Sequence, residues 1–275
     1  MISQDVTIPV NGSDMGAYLA RPPEESGPHP AVIVLHDIFG YTPEVRRVTD
    51  LCASTGYVGL AIDYFHRTHP RMVEPYTEEG AERASEAAKA LTADDMIHDV
   101  AAAVAWLNEQ PFVRHGKIGT WGFSFGANIA FITSSLKELR GAIAFYPTHV
   151  VTPLPSGGEP PLEHAKEVAI PLLLLYGEED YYVSRNDMEQ IRRELAQAQK
   201  RVHMEIYPNV GHAFFRHGRP EAIAEPNRYS QEAIAQACAD SSDLVKAFLA
   251  EHLSEKRPHE AVTGGIHIGH TPTVR

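Results

Sequence analysis

Short apolar runs alternate with segments whose apolar positions repeat at helical spacing, and the two periods together predict an α/β architecture. Residues 31–35 (Ala-Val-Ile-Val-Leu) and 171–176 (Pro-Leu-Leu-Leu-Leu-Tyr) are continuous apolar runs, as expected of strands buried on both faces. Further strands are predicted over 57–62, 117–121, 141–145 and 202–207. Residues 5–10 and 17–21 flank the turn Asn11-Gly12-Ser13-Asp14 and predict an opening antiparallel hairpin. Helices are predicted over 43–54, where Pro43 suits the first turn, and over 78–91, rich in Ala and Glu. A stronger helix covers 94–108, with Met96, Ile97, Val100, Val104 and Leu107 on one stripe. Two more are expected over 186–199 and 230–252. With the helices over 78–91 and 94–108 forming one crossover and a further helix beginning at Ala127, the order β-β-β-α-β-α-β-α-β-β-α-β-α predicts a mostly parallel sheet with helices on both faces. One domain is expected over residues 1–253. Residues 254–275 are polar, contain His259, His267 and His270, and are expected to form a mobile tail.

Composition narrows the class. The chain has 275 residues, 43% hydrophobic and 22% charged, enough apolar material for a sizeable core. Lys and Arg number 24 against 36 Asp and Glu, so the formal charge of −12 argues against a nucleic-acid surface. Cys52 and Cys238 lack metal-type spacing and are expected to be free thiols in a reducing compartment. The opening Met1-Ile2-Ser3-Gln4-Asp5 has no basic region and no apolar core, and no apolar run approaches a membrane span. A cytoplasmic monomer or small homo-oligomer, with no membrane or nucleic-acid partner, is therefore expected.

The candidate chemistry starts at Gly122-Phe123-Ser124-Phe125-Gly126, a G-x-S-x-G pattern between a predicted strand and a helix beginning at Ala127. A sharp strand-to-helix turn leaves no room for side chains at Gly122 and Gly126 and exposes the Ser124 hydroxyl in a strained backbone conformation. A nucleophilic Ser124 needs a base, and the base needs an orienting acid. In this architecture they follow in the order Ser, acid, His. Asp180 is the third residue after Gly177 at the end of the run 171–176, in competition with Glu178 and Glu179. His212 lies in the loop after the strand 202–207, behind Gly211 and before an apolar segment. An oxyanion hole would take one backbone N–H from Phe125 and a second from the loop after residue 35, assigned to Ile38. His36, Asp37, Asp63 and His66 form a candidate metal set, but their spacing matches no standard site, and no metal or other cofactor is expected. The segments 91–96 and 146–154 are candidate pocket walls.

Four motifs taken together resemble the dienelactone hydrolase family of α/β-hydrolases over about residues 5–252. They are Val32-Ile33-Val34-Leu35-His36-Asp37-Ile38-Phe39-Gly40, the Gly122–Gly126 elbow, Gly177-Glu178-Glu179-Asp180, and Gly211-His212-Ala213-Phe214-Phe215-Arg216. The resemblance implies a nucleophile-tuning role for Asp37, where the best-known members have Glu. It implies that Arg216 binds a substrate carboxylate, and Arg83 is the nearest match to a second carboxylate-binding Arg. The alternative for Asp37 is a carboxylate held by Arg216 or a loop N–H for shape alone, and for Arg216 a solvated Arg beside Arg219. One departure matters. The best-studied members use Cys as nucleophile, and this chain has Ser124. A hydroxyl must lose its proton during attack, so the expectation is a plain Ser-His-Asp cycle through an acyl-enzyme. The expected substrate is a small ester or lactone, with a carboxylate if Arg216 faces it. The alternatives are a thioester, amide or peptide bond cut by the same triad, and a non-catalytic binding protein on the same fold.

Overall fold

Asn11 and Gly12 have φ of 45° and 82°, the backbone a two-residue hairpin turn requires, and they close β1 (Ile2–Val10) onto β2 (Ser13–Arg21). Ser13 and Asp14, expected within the turn, instead open β2. The computed structural model describes residues 1–23, 27–215 and 229–253. The remaining strands are β3 (His29–Leu35), β4 (Val58–Ile62), β5 (Val113–Phe123), β6 (Ala142–Phe145), β7 (Leu172–Gly177) and β8 (Val202–Tyr207). They form one eight-stranded sheet in the order β1-β2-β4-β3-β5-β6-β7-β8, parallel from β4 to β8. β4, β6 and β7 are buried along their whole length, which is why their sequences carry no polar alternation.

The helices are α1 (Pro43–Ser54), α2 (Glu78–Ala88), α3 (Ala93–Asn108), α4 (Phe125–Ile132), α5 (Arg185–Gln197) and α6 (Gln231–Leu253). α3 and α5 each begin with a capping box, Thr92 with Asp95 and Ser184 with Asp187. The chain steps from β3 through α1 to β4, then reverses across β3 through α3 to β5. Right-handed crossovers therefore put α1 on one face, and α3 and α4, which pack on each other, on the other. The reversal makes the carboxyl ends of β3 and β5 the topological switch point, where open α/β sheets leave a crevice. The β3–α1 loop and the β5–α4 elbow meet there.

Two local expectations are corrected. β5 does not stop at Trp121 but runs to Phe123, because Thr120–Phe123 pair in register with Ala142–Phe145 of β6. Ile97 is only half-buried on α3, whereas Asp99 is fully buried. The Asp99 carboxylate meets both terminal guanidinium nitrogens of Arg67, at 2.7 and 2.9 Å, and His66 Nε2 at 3.1 Å, which offsets its desolvation. Cys52 and Cys238 are free thiols, pushed by burial up to about 12 and about 11, so both stay protonated and unreactive near neutrality. No helix of the described residues is long and apolar enough to cross a membrane. The expected tail, residues 254–275, lies outside the described residues.

Candidate active site

The elbow is built by two close approaches. A Cβ on Gly122 would stand 2.2 Å from the Gly126 carbonyl oxygen, and one on Gly126 would stand 2.2 Å from that of His36 and 2.3 Å from that of Leu35. Only glycine at both positions lets α4 start directly against the end of β3. Ser124 sits between them at φ 50°, ψ −111°, a sparsely populated conformation that costs about 1–3 kcal/mol. Its own N–H donates to Phe145 O (3.0 Å), which anchors the elbow to β6. Phe125 is the first residue of α4, so its N–H has no intrahelical acceptor and lies at the positive end of the helix.

The acid and the histidine arrive on two loops stitched by backbone bonds. Glu178 N–H donates to Tyr207 O (2.8 Å) and Glu179 N–H to Val210 O (3.0 Å). The side chains of Glu178 and Glu179 turn outward, and Glu178 pairs with Arg185. Asp180 turns inward and its side chain is fully buried. Asp180 Oδ1 accepts N–H bonds from Tyr182 (2.8 Å) and Val183 (3.3 Å), which fixes the carboxylate plane. Asp180 Oδ2 accepts from His212 Nδ1 at 2.8 Å. That bond selects the tautomer whose Nε2 carries a lone pair, and Nε2 stands 2.9 Å from Ser124 Oγ. Tyr146, Tyr181 and Tyr182 turn ring edges or faces toward the His212 imidazole, at centroid distances of 4.9, 5.8 and 4.7 Å.

The β3–α1 loop supplies the facing wall. The Asp37 carbonyl accepts from His36 Nδ1 (2.7 Å), Tyr64 OH (3.0 Å) and Gly40 N–H (3.2 Å). The single Tyr64 hydroxyl proton is shared in a bifurcated bond with His36 O, at 2.8 Å. Burial holds the Tyr64 phenol well above its ordinary value, with Asp37 and Asp63 adding to the effect, so it remains a donor. The Asp37 carboxylate accepts from Phe39 N–H (2.9 Å) through Oδ1 and from Tyr76 OH (3.3 Å) through Oδ2. Asp63 and His66, weighed above as metal ligands with His36 and Asp37, are committed elsewhere. Asp63 accepts from the N–H groups of Arg71 and Phe65, and His66 bonds Ser13 and Asp99.

A small cavity of about 40 Å³ opens at Ser124, lined by His36, Asp37, Tyr76, Phe123, Tyr146 and Phe215 among others. Of the candidate pocket walls, Tyr146 lines it. Ala93, Asp94 and Leu154 line a separate cavity of about 270 Å³ at the far end of α4. Arg83 does not line the cavity at Ser124; it is exposed and paired with Glu74 (2.6 Å). Arg216 lies outside the described residues. Sequence reasoning missed Tyr64 and Tyr76, and named Tyr146 only as the start of a candidate pocket wall, not as a neighbour of His212. Tyr146 had a usable signal, since it directly follows the apolar run of β6 at the carboxyl end of the sheet. It adopts a left-handed φ of 44°, which turns its ring toward His212.

His36 gives the site a pH-dependent stability. Its ring is fully buried and stacks on Tyr64 at 3.8 Å, and no partner takes its Nε2 among the described residues. Burial lowers its pKa from 6.5 to about 4, so the folded state resists a proton that the unfolded chain accepts. The unfolded state therefore binds more protons between those values, and stability falls as pH drops through that window. The contribution is complete above pH 6.5, lost by about 3 kcal/mol at pH 4, and level below. Urea unfolding of wild type and His36→Leu at pH 7 and pH 4 checks this. The pH-dependent loss in the variant should be smaller by about that amount, and parallel pH profiles would refute the assignment.

Comparison with known proteins identifies the family of the chain. The sequence profile of the dienelactone hydrolase family matches residues 15–252. A Synechocystis protein provisionally named carboxymethylenebutenolidase is 31% identical over 220 residues, covering 80% of this chain and 89% of its own length. A Bradyrhizobium protein named as a probable 2-oxo-3-(5-oxofuran-2-ylidene)propanoate lactonase is 30% identical over 215 residues, covering 78% of this chain and 84% of its own. Among solved structures, a provisionally assigned dienelactone hydrolase from Klebsiella pneumoniae superposes with a TM-score of 0.78 at 23% identity, covering 91% of this chain and 98% of that one. The α/β-hydrolase fold is common to both, and with the profile spanning both the elbow and the loop of His212, the chain belongs to the dienelactone hydrolase family.

Proposed function

We propose that this protein hydrolyses a carboxylic ester or lactone through a Ser124–His212–Asp180 triad and a covalent acyl-enzyme. The observation that carries the reading is the unbroken chain of contacts from Ser124 Oγ through His212 to the buried Asp180 carboxylate. In this reading Ser124 Oγ attacks the acyl carbon while His212 Nε2 takes its proton. The bond from carbon to the leaving oxygen then breaks, and Nε2 returns the proton to that oxygen; in a lactone the oxygen stays tethered to the acyl group. Water, deprotonated by the same Nε2, attacks the acyl-enzyme and releases the acid and the free Ser124 hydroxyl. Asp180 holds the tautomer and stabilises the imidazolium. The N–H groups of Phe125 and Ile38 receive the oxyanion. Membership of the family, and the names its relatives bear, support an ester or lactone over other acyl bonds.

A fluorophosphonate probe tests the reading. It should label wild type on Ser124 and leave Ser124→Ala unlabelled; equal labelling of both, or none of wild type, contradicts it. Within this reading Arg216 binds a substrate carboxylate, as the family resemblance implies. Arg216→Ala should then lower kcat/KM on a carboxylate-bearing lactone roughly 10- to 100-fold, the worth of one charged hydrogen bond, and spare a neutral p-nitrophenyl ester. Equal loss on both substrates, or no loss on either, removes that role.

A further inference from the structure

In the loop facing Ser124, the donors of residues 38–41 differ in how they are used. The N–H groups of Phe39, Gly40 and Tyr41 bond Asp37 Oδ1, Asp37 O and Met72 O, whereas among the described residues the N–H of Ile38 has no protein acceptor. Its direction is set by the other end of the same peptide. A trans peptide points its C=O and N–H to opposite sides. The C=O here, that of Asp37, is held by Tyr64 OH and by His36 Nδ1, both anchored in the core. Tyr64 OH shares its one proton with the preceding carbonyl, that of His36, in a bifurcated bond, so one hydroxyl holds two successive peptides.

The position of Tyr64 follows from the sheet. β3 and β4 are parallel neighbours, so the residues just beyond their carboxyl ends stand side by side. The His36 ring stacks on the Tyr64 ring and keeps it from swinging away. On the other side the loop is backed by Gly126, whose missing side chain admits the Leu35 and His36 carbonyls against the start of α4. The loop is thus clamped between a buried phenol and the helix that carries the Phe125 N–H.

We infer that Tyr64 is a positioning residue for catalysis: its hydroxyl, seconded by His36, aims the Ile38 N–H at the oxyanion that forms on the substrate. The inference rests on the hydrolase reading above and extends it to a side chain that touches neither substrate nor triad. A second effect acts in the same direction. Hydrogen bonds accepted by the Asp37 carbonyl polarise the shared peptide and strengthen its N–H as a donor. Because the oxyanion exists only after attack, the contribution falls on the transition state and not on substrate binding.

The test compares Tyr64→Phe with Tyr41→Phe, using p-nitrophenyl butyrate and an alkylboronic acid that forms a tetrahedral anionic adduct on a nucleophilic serine. Tyr41 OH donates to Ala61 O in the core, so its loss is a matched deletion of a buried hydroxyl that does not hold the Asp37–Ile38 peptide. Tyr64→Phe should lower kcat about 10- to 100-fold with KM within about twofold, less than the 10²–10³ lost with an oxyanion donor itself. Boronate affinity should fall by the same factor, and Tyr41→Phe should keep wild-type kcat and boronate affinity. His36→Leu removes the other side-chain donor to the same carbonyl and should shift kcat and boronate affinity together in the same direction, which keeps the test available if Tyr64→Phe does not fold. Tyr64→Phe with the kcat of Tyr41→Phe, or a loss of kcat without a matching loss of boronate affinity, overturns the inference. A wild type that neither turns over the ester nor takes the probe on Ser124 overturns instead the hydrolase reading beneath it.

Discussion

Ser124→Ala is expected to lower kcat on any ester or lactone substrate by about 10⁴- to 10⁶-fold while leaving KM and thermal stability close to wild type. In the proposed cycle the loss is large because the hydroxyl oxygen forms the covalent bond, and no neighbouring side chain replaces it. Cys52 and Cys238, the two thiols, are both raised by burial, and neither lines the cavity at Ser124. Stability should stay close to wild type, because alanine at a φ of 50° is strained no more than serine and the substitution removes only the single bond to His212. Steady-state kinetics with a chromogenic ester, paired with a thermal melt, check both halves. A variant that keeps more than a tenth of wild-type turnover contradicts the assignment of Ser124.

Asp180→Asn is expected to cost about 10⁴-fold in kcat with the fold intact. The carboxylate has two jobs that an amide cannot share. Oδ1 accepts N–H bonds from Tyr182 and Val183, and Oδ2 accepts from His212 Nδ1. An amide placed there keeps its oxygen on the two N–H donors and turns its NH₂ toward His212. The imidazole then has to accept at Nδ1 and protonate Nε2, so Nε2 loses the lone pair that faces Ser124. The outcome to look for is a near-native melt with lost turnover and slow probe labelling, partly restored at high pH where hydroxide replaces the base. A drop of less than tenfold would move the acid role to another group.

Much of this was legible in the sequence, for stated reasons. The helix over 43–54 and the strand over 202–207 have the bounds expected from their patterns, because Pro43 marks a first turn and Val202, Met204 and Ile206 alternate with His203 and Glu205 along the strand. The elbow was legible because glycines on both sides of a serine between strand and helix leave few other conformations. Asp180 and His212 followed from chain order and from the rule that sites lie beyond the carboxyl ends of parallel strands. Tyr64 was not legible. It contacts Asp37 from 27 positions away, and that contact exists only because β3 and β4 are neighbours, a fact about strand order that periodicity does not contain. Asp99 was missed for a related reason: a carboxylate on the buried side of α3 makes sense only once Arg67 and His66 are seen to reach it. Arg83 was placed by resemblance alone, and its pairing with Glu74 depends on how the segment before α2, bonded through Glu74 N–H to Phe39 O, runs along the β3–α1 loop, which its sequence does not state.

The central claim is that the acyl group passes through Ser124. Rapid acid quench during turnover of a slowly hydrolysed ester, followed by peptide mapping in the mass spectrometer, tests it directly. The expected result is a mass increase equal to the acyl group on the peptide containing Ser124, absent from Ser124→Ala and accumulating further in Asp180→Asn if deacylation slows more than acylation. An acyl group found on a different residue, or steady turnover by Ser124→Ala with no adduct in wild type, would contradict the account.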